Sequence, residues 1–382
     1  MECSEVRWQD GAKYPNQNLP EESYGTQRDL IWVGMVCWLC RAGRGLSHRT
    51  TKSEMNALQT NSKVRRYFGG NEWRGALLIV GVLWAAVTPT RCLAQVQLPS
   101  VNLGDTNFED GIALPGWIIE EFPEIYVSGT LRDGHGNIVP GTNRLTADTT
   151  TTHVAFVAKR RVLGGRLAAE ILQPLVDLDV QVANGASTRV RGFGDLIFGA
   201  GIQWTPRKLG QGIFAHRFVF AVSVPTGTYS DRRAVNIGNH FVFVDPYYAV
   251  TYERKKVEVS ARVHYLWNSV NNDPFVGLGI RNMQPGQAFH MNYSTSYEVL
   301  KSVRLGFNGY WLQQVTDDWI NAMTVPYSKE RTVGLGPGLQ LGGQGVWFHL
   351  NGYIETDVRN RPGGIKVTLR ISKAILARGT HQ

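Results

Sequence analysis

The sequence is poor in cysteine, and its larger C-terminal part has none. The four cysteines, at positions 3, 37, 40 and 92, all lie within the first 92 of 382 residues. A disulfide framework is therefore excluded for residues 95–382. Cys37 and Cys40 have the C-x-x-C spacing of metal and redox sites, but no second cysteine pair accompanies them. We interpret that spacing as chance and predict neither a metal site nor a cofactor.

Long apolar runs are also missing. The longest, GALLIVGVLWAAV at 75–87, has about thirteen residues, which is short of the ~20 that a membrane-spanning helix needs. Arg65, Arg66 and Arg74 precede this run, and small residues up to Ala94 follow it. This order is typical of a secretory signal peptide, which we predict to be cleaved after Ala94. Any other membrane-spanning segment must then be a strand.

Strong charge of one sign is the third absence. The formal net charge of +9 includes twelve basic and eight acidic residues at positions 1–94, which leaves +5 for residues 95–382. That excess is too small for the basic footprint of a nucleic-acid-binding domain. We therefore expect no nucleic acid among the partners of this protein.

What the sequence does contain is strict alternation. In VEVSARVHYLW, residues 257–267, every odd position is apolar, and Glu258, Ser260, Arg262 and His264 stand between them. A strand turns successive side chains to opposite faces, so this segment has one apolar and one charged face. In a soluble sandwich the apolar face points into a core. In an outer-membrane barrel it points to lipid, and the charged face lines a wet lumen.

About twelve segments have strand character, and none has sustained helical periodicity. The predicted strands are 117–130, 152–160, 166–178, 193–204, 213–225, 240–252, 256–267, 287–299, 302–313, 330–341, 346–357 and 364–372. The connections between them alternate in length, beginning with 131–151 (long) and 161–165 (short). Long external loops and short periplasmic turns are typical of outer-membrane barrels. We therefore predict an all-β antiparallel transmembrane β-barrel of about twelve strands, rather than a soluble two-sheet protein.

An even number of strands places both ends of the barrel on the periplasmic side. We predict a signal peptide at 55–94, an N-terminal periplasmic or plug segment at 95–116, and the β-barrel at 117–382. Residues 1–54 are then a wrongly assigned extension upstream of a start at Met55, with an unusual genuine extension as the alternative. The expected location is the outer membrane of a Gram-negative bacterium. The expected partners are outer-membrane lipid and the barrel assembly machinery.

Several short motifs occur in a fixed order: LPGW at 114–117, GFGDL at 192–196, PTGTY at 225–229, NIG at 236–238 and QQVTDD at 313–318. Together, over residues 114–372, the chain resembles the family of proteins of the meta-pathway of phenol degradation, an outer-membrane transporter group. The resemblance implies a bacterial outer-membrane barrel linked to uptake of aromatic or other apolar compounds. It supplies no catalytic or binding residues.

Alternation also assigns a set of charged side chains to the lumen. A porin selective for one ion sign would show one sign of charge, whereas the signs here are mixed, which suits ion pairs across a narrow lumen. A structural polar interior and a solute path both explain the set. These candidates are Asp195, Arg217, Glu258, Arg262, His264, His290, Glu298, Arg304, His349, Glu355, Lys366 and Arg370.

An apolar solute needs a dry path or a sideways exit if the lumen is polar. Pro174 interrupts the predicted strand 166–178, because proline cannot donate to the strand ladder. We hypothesise that Pro174 opens a kink that serves as a lateral gate. A bulge that merely bends the barrel is the alternative.

These observations predict an outer-membrane channel for small hydrophobic or aromatic, phenol-like compounds, linked to aromatic degradation. A structural or adhesive barrel without transport is the alternative. An enzyme is not expected, because a hydrolase would need a set such as His264, His290, Asn292 and Ser294. His290 and Ser294 stand four residues apart on one strand, roughly 13 Å at ~3.3 Å per residue, and cannot hydrogen-bond.

The processing prediction concerns the first residue of the exported protein. Mass spectrometry of the protein purified from outer membranes should identify Gln95 as its N-terminus, because cleavage after Ala94 releases it. A peptide that begins near Met1 in the same preparation would contradict the predicted signal peptide.

Overall fold

The computed structural model describes residues 97–182 and 186–376. The predicted extension at 1–54, the predicted signal peptide at 55–94 and the tail after residue 376 lie outside the described residues. In the described part, no helix is long and apolar enough to cross a membrane.

The described residues form a closed antiparallel β-barrel whose wall has twelve strands, which confirms the predicted fold. Two of the twelve are interrupted: β4, β5 and β6 make up one, and β8 and β9 make up another. The wall strands are β1 (Gly116–Leu131), β2 (Arg144–Val162), β3 (Gly165–Gln181), β4 (Ser187–Phe193), β5 (Leu196–Trp204), β6 (Arg207–Leu209), β7 (Gly212–Val224), β8 (Phe243–Val244), β9 (Tyr247–Arg254), β10 (Val257–Asn268), β12 (Ala288–Leu300), β13 (Val303–Gln314), β16 (Arg331–Gly343), β17 (Val346–Arg359) and β18 (Pro362–Leu376).

The first and last strands close the ring. β1 pairs with β2 on one side and with β18 on the other, from Gly116 opposite Leu376 to Leu131 opposite Pro362. The remaining wall strands pair with their neighbours along the chain. A closed ring satisfies every backbone polar group without water, which a wall in lipid requires. The sequence did not define the end of β18, which continues beyond the predicted limit at residue 372.

The outer face of the wall is the apolar one. On β10, Val257, Val259 and Val263 are 46%, 50% and 47% exposed, whereas Arg262 is 7% and His264 3% exposed. Alternation therefore points valine outward and charge inward, the reverse of a soluble sandwich. Lipid is the solvent that favours this arrangement, and the barrel is that of a bacterial outer-membrane protein.

The two ends of the barrel differ in their connections. At the short-turn end, five connections have two residues each: 163–164, 210–211, 255–256, 301–302 and 344–345. At the long-loop end, the connections are 132–143, 182–186, 225–242, 269–287, 315–330 and 360–361.

The connection 179–192, which belongs to the long set in the predicted alternation, is in fact short, because β4 begins at Ser187 and was not predicted as strand. The final connection, predicted at 358–363, is reduced to residues 360–361. β2 likewise begins at Arg144 rather than 152. Its first part, TADTTTT, has polar residues on both faces, so it lacks the alternation by which the sequence reveals a strand. Hydrogen bonding to β1 and β3 keeps it extended.

A small sheet joins two of the long loops. β11 (Met283–Gln284) pairs with β14 (Asp318–Ile320), which pairs with β15 (Met323–Val325). Ile320 and Val325 are buried against Met283. The loops at 269–287 and 315–330 therefore form one packed unit above the barrel.

The orientation of the wall can be tested on β10. Val263→Arg should lower the free energy of unfolding in lipid vesicles by ~2–4 kcal/mol, because arginine on the lipid face near the midplane is costly. Val263→Leu keeps an apolar side chain there and serves as the control. Urea unfolding of the refolded barrels measures both. Equal stability of the two variants would contradict the lipid-facing assignment of Val263.

Candidate functional site

The lumen contains the chain segment that precedes the barrel. This N-terminal segment, residues 97–115, runs from the long-loop end to the short-turn end, where β1 begins. The Leu98 amide donates to Glu330 Oε1 at 2.8 Å, and Glu330 directly precedes the first residue of β16. The Gly104 amide donates to Asn292 Oδ1 at 2.8 Å, and the Gly111 amide donates to Thr251 Oγ1 at 2.8 Å. The segment is thus hydrogen-bonded to the wall at three depths.

Near the long-loop end the N-terminal segment is held by apolar packing. A buried apolar cluster contains Leu103, Tyr310, Leu312 and Tyr353. Two partly buried residues of the segment, Leu98 and Val101, pack against this cluster. Gly104 has φ +93°, and a Cβ there would lie 2.9–3.0 Å from the rings of Tyr353 and Tyr310. Only glycine fits this position, because the backbone passes directly over two aromatic rings.

Deeper in the lumen the same segment is held by charge. Asp110 Oδ2 accepts from Arg262 Nε at 2.7 Å, and Asp110 Oδ1 accepts from Arg217 Nη2 at 3.1 Å. Asp110 is 5% exposed, and Arg262 also lies over the ring of Tyr247. Glu109, the preceding residue, pairs with Arg304 at 3.2 Å. Adjacent acidic residues of the segment therefore neutralise arginines from three wall strands.

The lumen candidates predicted from alternation lie as follows. Eight of the twelve, Glu258, Arg262, His264, His290, Arg304, His349, Lys366 and Arg370, are buried on the inner face of their strands, and Arg217, Glu298 and Glu355 are half-buried there. Asp195 is buried between β4 and β5. Most make ion pairs or hydrogen bonds: Lys366 with Glu124 at 2.9 Å, Arg370 with His349 at 2.9 Å, and Glu355 with Tyr310 at 3.0 Å. Whether they guide a solute stays a prediction.

Several lumen residues escaped the sequence analysis. His153 lies between two carboxylates, with Nδ1 2.7 Å from Glu120 and Nε2 3.4 Å from Glu170. Glu120, His153 and Glu170 lie on the inner faces of β1, β2 and β3, so the same alternation argument applied to those strands would have found them. Asp110 and Asp245 carry no such signal, because both stand outside regular strands.

Asp195 fastens a long loop rather than facing open water. Its carboxylate accepts from the amide of Gly227 and from that of Asn239, both at 2.8 Å. The amide of Thr228 also donates to the Phe193 carbonyl at 2.8 Å. The motifs GFGDL, PTGTY and NIG therefore meet at one junction, which folds the loop 225–242 over the mouth of the barrel. A Cβ on Gly238 would lie 2.7 Å from the Gly227 backbone, so the junction needs small residues.

Two cavities lie beside the N-terminal segment. The lumen cavity, of about 450 Å³, lies between the segment and the wall from β17 and β18 through β1 to β10. The outer pocket, of about 380 Å³, lies at the long-loop end. They share lining residues, Val101, Thr149, Val176 and Ile237 among them, so the two cavities adjoin.

Both cavities have apolar and charged side chains in their walls. The apolar side chains of the outer pocket include Leu98, Leu145, Leu178, Val235, Phe241, Phe275 and Leu278, and its charged side chains are Glu124, Glu330, Glu355, Arg361 and Lys366. The lumen cavity is lined by the charged groups around His153 and Asp110, and also by apolar side chains such as Ile197. On β3, an apolar row of inward-facing side chains lines both cavities: Leu172, Pro174, Val176 and Leu178.

Pro174 does not break its own strand. β3 continues through it, and the interruption lies opposite, at Gly194 and Asp195 between β4 and β5. The Gly194 amide donates to the Pro174 carbonyl at 2.9 Å. Proline has no amide hydrogen to return, and the side chain of Gln173 donates to the Gly194 carbonyl at 3.0 Å instead. This seam has a single backbone hydrogen bond where an intact ladder would have two.

The hydrolase set does not assemble. His264 and His290 both face the carboxylate of Asp245, at 2.9 and 3.0 Å. Ser294 Oγ has no hydrogen-bond partner, so no described histidine activates it.

The family model described as "Putative MetA-pathway of phenol degradation" matches residues 128–371, which is well over half of the chain. The chain belongs to this family. The match confirms the resemblance that the sequence motifs indicate. No curated protein is significantly similar to the chain.

Solved structures show the same architecture. An outer membrane channel from Pseudomonas putida F1 has 16% identity and a TM-score of 0.61, with 69% of this chain and 97% of that chain covered. At this identity the likeness shows the fold. The translocator domain of autotransporter NalP from Neisseria meningitidis has 11% identity, a TM-score of 0.39 and coverage of 79% and 97%. A Pseudomonas aeruginosa FadL homologue has 9% identity, a TM-score of 0.30 and coverage of 68% and 89%.

A double-mutant cycle tests the anchoring role of Asp110. Asp110→Asn should lower the free energy of unfolding by ~3–5 kcal/mol, because it leaves arginine buried without its partner. The double variant Asp110→Asn with Arg262→Met should lose less stability than Asp110→Asn alone, since Arg262 no longer leaves a buried charge without its partner. Urea unfolding measures the wild type, both single variants and the double variant. If the loss in the double variant equals the sum of the losses in Asp110→Asn and Arg262→Met, the two residues are not coupled.

Asp318 in the small external sheet gives a pH prediction. It is fully buried and accepts from the Gly286 amide at 2.8 Å and from Gln314 at 2.6 Å. Burial raises its pKa from 3.8 to about 8, and nearby Glu330 adds to this rise. A carboxyl with a raised pKa favours the folded loops at low pH and opposes them as pH climbs from about 4 through 8.

The two packed loops should therefore loosen at alkaline pH. Trypsin cleavage at Lys329 in the purified barrel should be faster at pH 9 than at pH 6, after correction for the activity of the enzyme on a peptide. Asp318→Asn should remove most of this difference, because it cannot ionise. The same pH dependence in Asp318→Asn would rule out the proposed role of this carboxyl.

Proposed function

We propose that the protein is a passive outer-membrane channel for small hydrophobic or aromatic, phenol-like compounds, and that it serves their degradation. The observation that carries the proposal is the pair of adjoining cavities, which share an apolar row of side chains on β3. Each exceeds the ~150 Å³ that is enough for benzene in a protein interior. The family and the channel fold support transport in general, and the cavity chemistry supports the solute class.

The outer pocket would capture the solute. Its apolar side chains come from the N-terminal segment, from the inner faces of β2 and β3, and from the loops. Where these apolar side chains form the wall, the pocket favours an aromatic ring over an ion, because burial of apolar surface is favourable by roughly 25 cal/mol per Å². Tyr229 and Asn239 add polar groups to the wall of the pocket, which suit a phenolic hydroxyl.

A straight path through the barrel would be costly for such a solute. Beyond the apolar part, the lumen cavity is bordered by Glu120, His153, Glu170, Arg217 and Arg262. These groups are hydrogen-bonded or ion-paired to one another and to the N-terminal segment, as described above. An apolar molecule would have to displace their water without replacing those hydrogen bonds.

The seam between Pro174 and Gly194 offers a sideways exit, in line with the lateral-gate hypothesis. Pro174 and Gly194 both line the lumen cavity at the end of its apolar part. On the outer side, Leu175 and Phe193 are 45% and 57% exposed to lipid. A solute that parts the seam would pass directly from an apolar cavity into the membrane. Outer-membrane lipid then receives the solute first. The barrel assembly machinery is a separate partner, which inserts the barrel into the membrane.

The test uses a disulfide staple across the wall. Leu175 and Phe193 are in register on neighbouring strands beside the seam, and the described residues contain no cysteine. Leu175→Cys with Phe193→Cys should close the seam when oxidised and release it when reduced. Leu305→Cys with Leu339→Cys, also in register, staples the opposite part of the wall as the control.

Uptake of radiolabelled phenol and toluene into cells is the measurement. Wild type should exceed cells without the protein several-fold, and the staple at the seam should reduce uptake only when oxidised. If wild type and cells without the protein take up both solutes equally, the barrel is structural or adhesive and the transport function is refuted. If oxidation of the seam staple has no effect, the channel remains and the lateral exit is refuted.

A further inference from the structure

A buried cluster of metal-ligating side chains lies in the wall beside the lumen cavity. Asp245 Oδ2 is 2.9 Å from His264 Nδ1, and Asp245 Oδ1 is 3.0 Å from His290 Nε2. The three residues are 8%, 3% and 0% exposed. They come from separate elements, since Asp245 joins β8 to β9 and the two histidines face each other across β10 and β12.

The remaining nitrogens of the two histidines have no partner. His264 Nε2 and His290 Nδ1 are buried and make no hydrogen bond. Unsatisfied buried polar atoms are uncommon and costly, and apolar side chains would fill the same space without that cost. Packing alone therefore does not explain why His264 and His290 occupy these two positions.

We propose that Asp245, His264 and His290 bind one divalent transition-metal ion of the Zn²⁺, Ni²⁺ or Cu²⁺ class. Two imidazoles and a carboxylate are a donor set that such ions take. The ligating atoms lie within 4.8 Å of one another. Ligands placed ~2.1 Å from a tetrahedral ion are roughly 3.4 Å apart, so small shifts bring all three into range. The ion replaces the two hydrogen bonds to Asp245.

Binding requires a change in the histidine rings. The rings stack with centroids 4.1 Å apart and 18° between their planes. An ion bound by both must lie near the plane of each ring, so one ring turns about its Cβ–Cγ bond. His290 can turn without loss of another hydrogen bond, because its far nitrogen has none.

The charges around the cluster favour a cation. Asp245 supplies one negative charge, and two neutral imidazoles supply none. The nearest arginine on the same strand, Arg262, is already paired with Asp110. Asp245 and His264 also line the lumen cavity, so the cluster can be reached from the lumen. A bound ion would place positive charge beside the channel, independently of which solute the channel carries.

Zinc chloride is the probe, with the untagged protein purified in detergent from outer membranes and treated with EDTA; the predicted cleavage after Ala94 removes all four cysteines, which would otherwise bind Zn²⁺. Isothermal titration calorimetry should give one Zn²⁺ per chain. His264→Gln and His290→Gln should each weaken binding at least tenfold, because glutamine keeps a polar side chain but loses the imidazole ligand. His349→Gln is the matched control, since His349 is also buried in the lumen wall but hydrogen-bonds Arg370.

A second readout is the current through single channels in planar bilayers. Zn²⁺ should change the conductance of wild type and of His349→Gln, and EDTA should restore it. Channels with His264→Gln or His290→Gln should not respond, and the presence of current shows that they are folded. No binding to wild type at millimolar Zn²⁺, or equal binding and equal response in all four proteins, overturns the proposal.

Discussion

The buried carboxylate of Asp110 is the contact on which the interior of this barrel depends. Arg217 and Arg262 project into the lumen from two wall strands, and both bind that one carboxylate. Buried guanidinium groups without a partner would be severely destabilising. Their partner comes from the chain before the first strand, so the wall and the N-terminal segment specify each other. The segment in turn determines which part of the lumen stays open.

The interior combines two environments that a simple pore would not need. Around Asp110 and His153 the lumen is a network of ion pairs, whereas towards the long-loop end leucine, valine and phenylalanine line it beside the ion pair of Lys366 with Glu124. A mixed-charge network fills space and resists displacement, because each group that loses its partner is left desolvated. The apolar side chains have no hydrogen bonds to lose, so the proposed solute path follows them and the wall beside them.

Much of the fold could be predicted from alternation alone. The pattern at 257–267 predicted both faces of β10, and all twelve predicted segments coincide with wall strands. Loop lengths then distinguished a membrane barrel from a sandwich. The prediction failed at 144–151, where threonines occupy both faces of β2 and leave no period to detect.

The site was less predictable for a related reason. Arg262 and His264 could be assigned to the lumen because they alternate with valine, but their partners Asp110 and Asp245 lie in irregular chain. A contact between residues 110 and 262 has no local signal in a single sequence. Pro174 was recognisable as a weak point, yet the break it accompanies lies at Gly194 in the neighbouring strand.

The path of the N-terminal segment constrains the order of assembly. The segment leads directly into β1, and β1 is one of the two strands whose pairing closes the ring. A barrel that closed first would have to admit the segment through an already packed opening, from the short-turn end to the long-loop end. Closure around a segment already in place avoids that passage. The salt bridges of Asp110 would then act during folding as a template, on which β7 and β10 gather before the first and last strands meet.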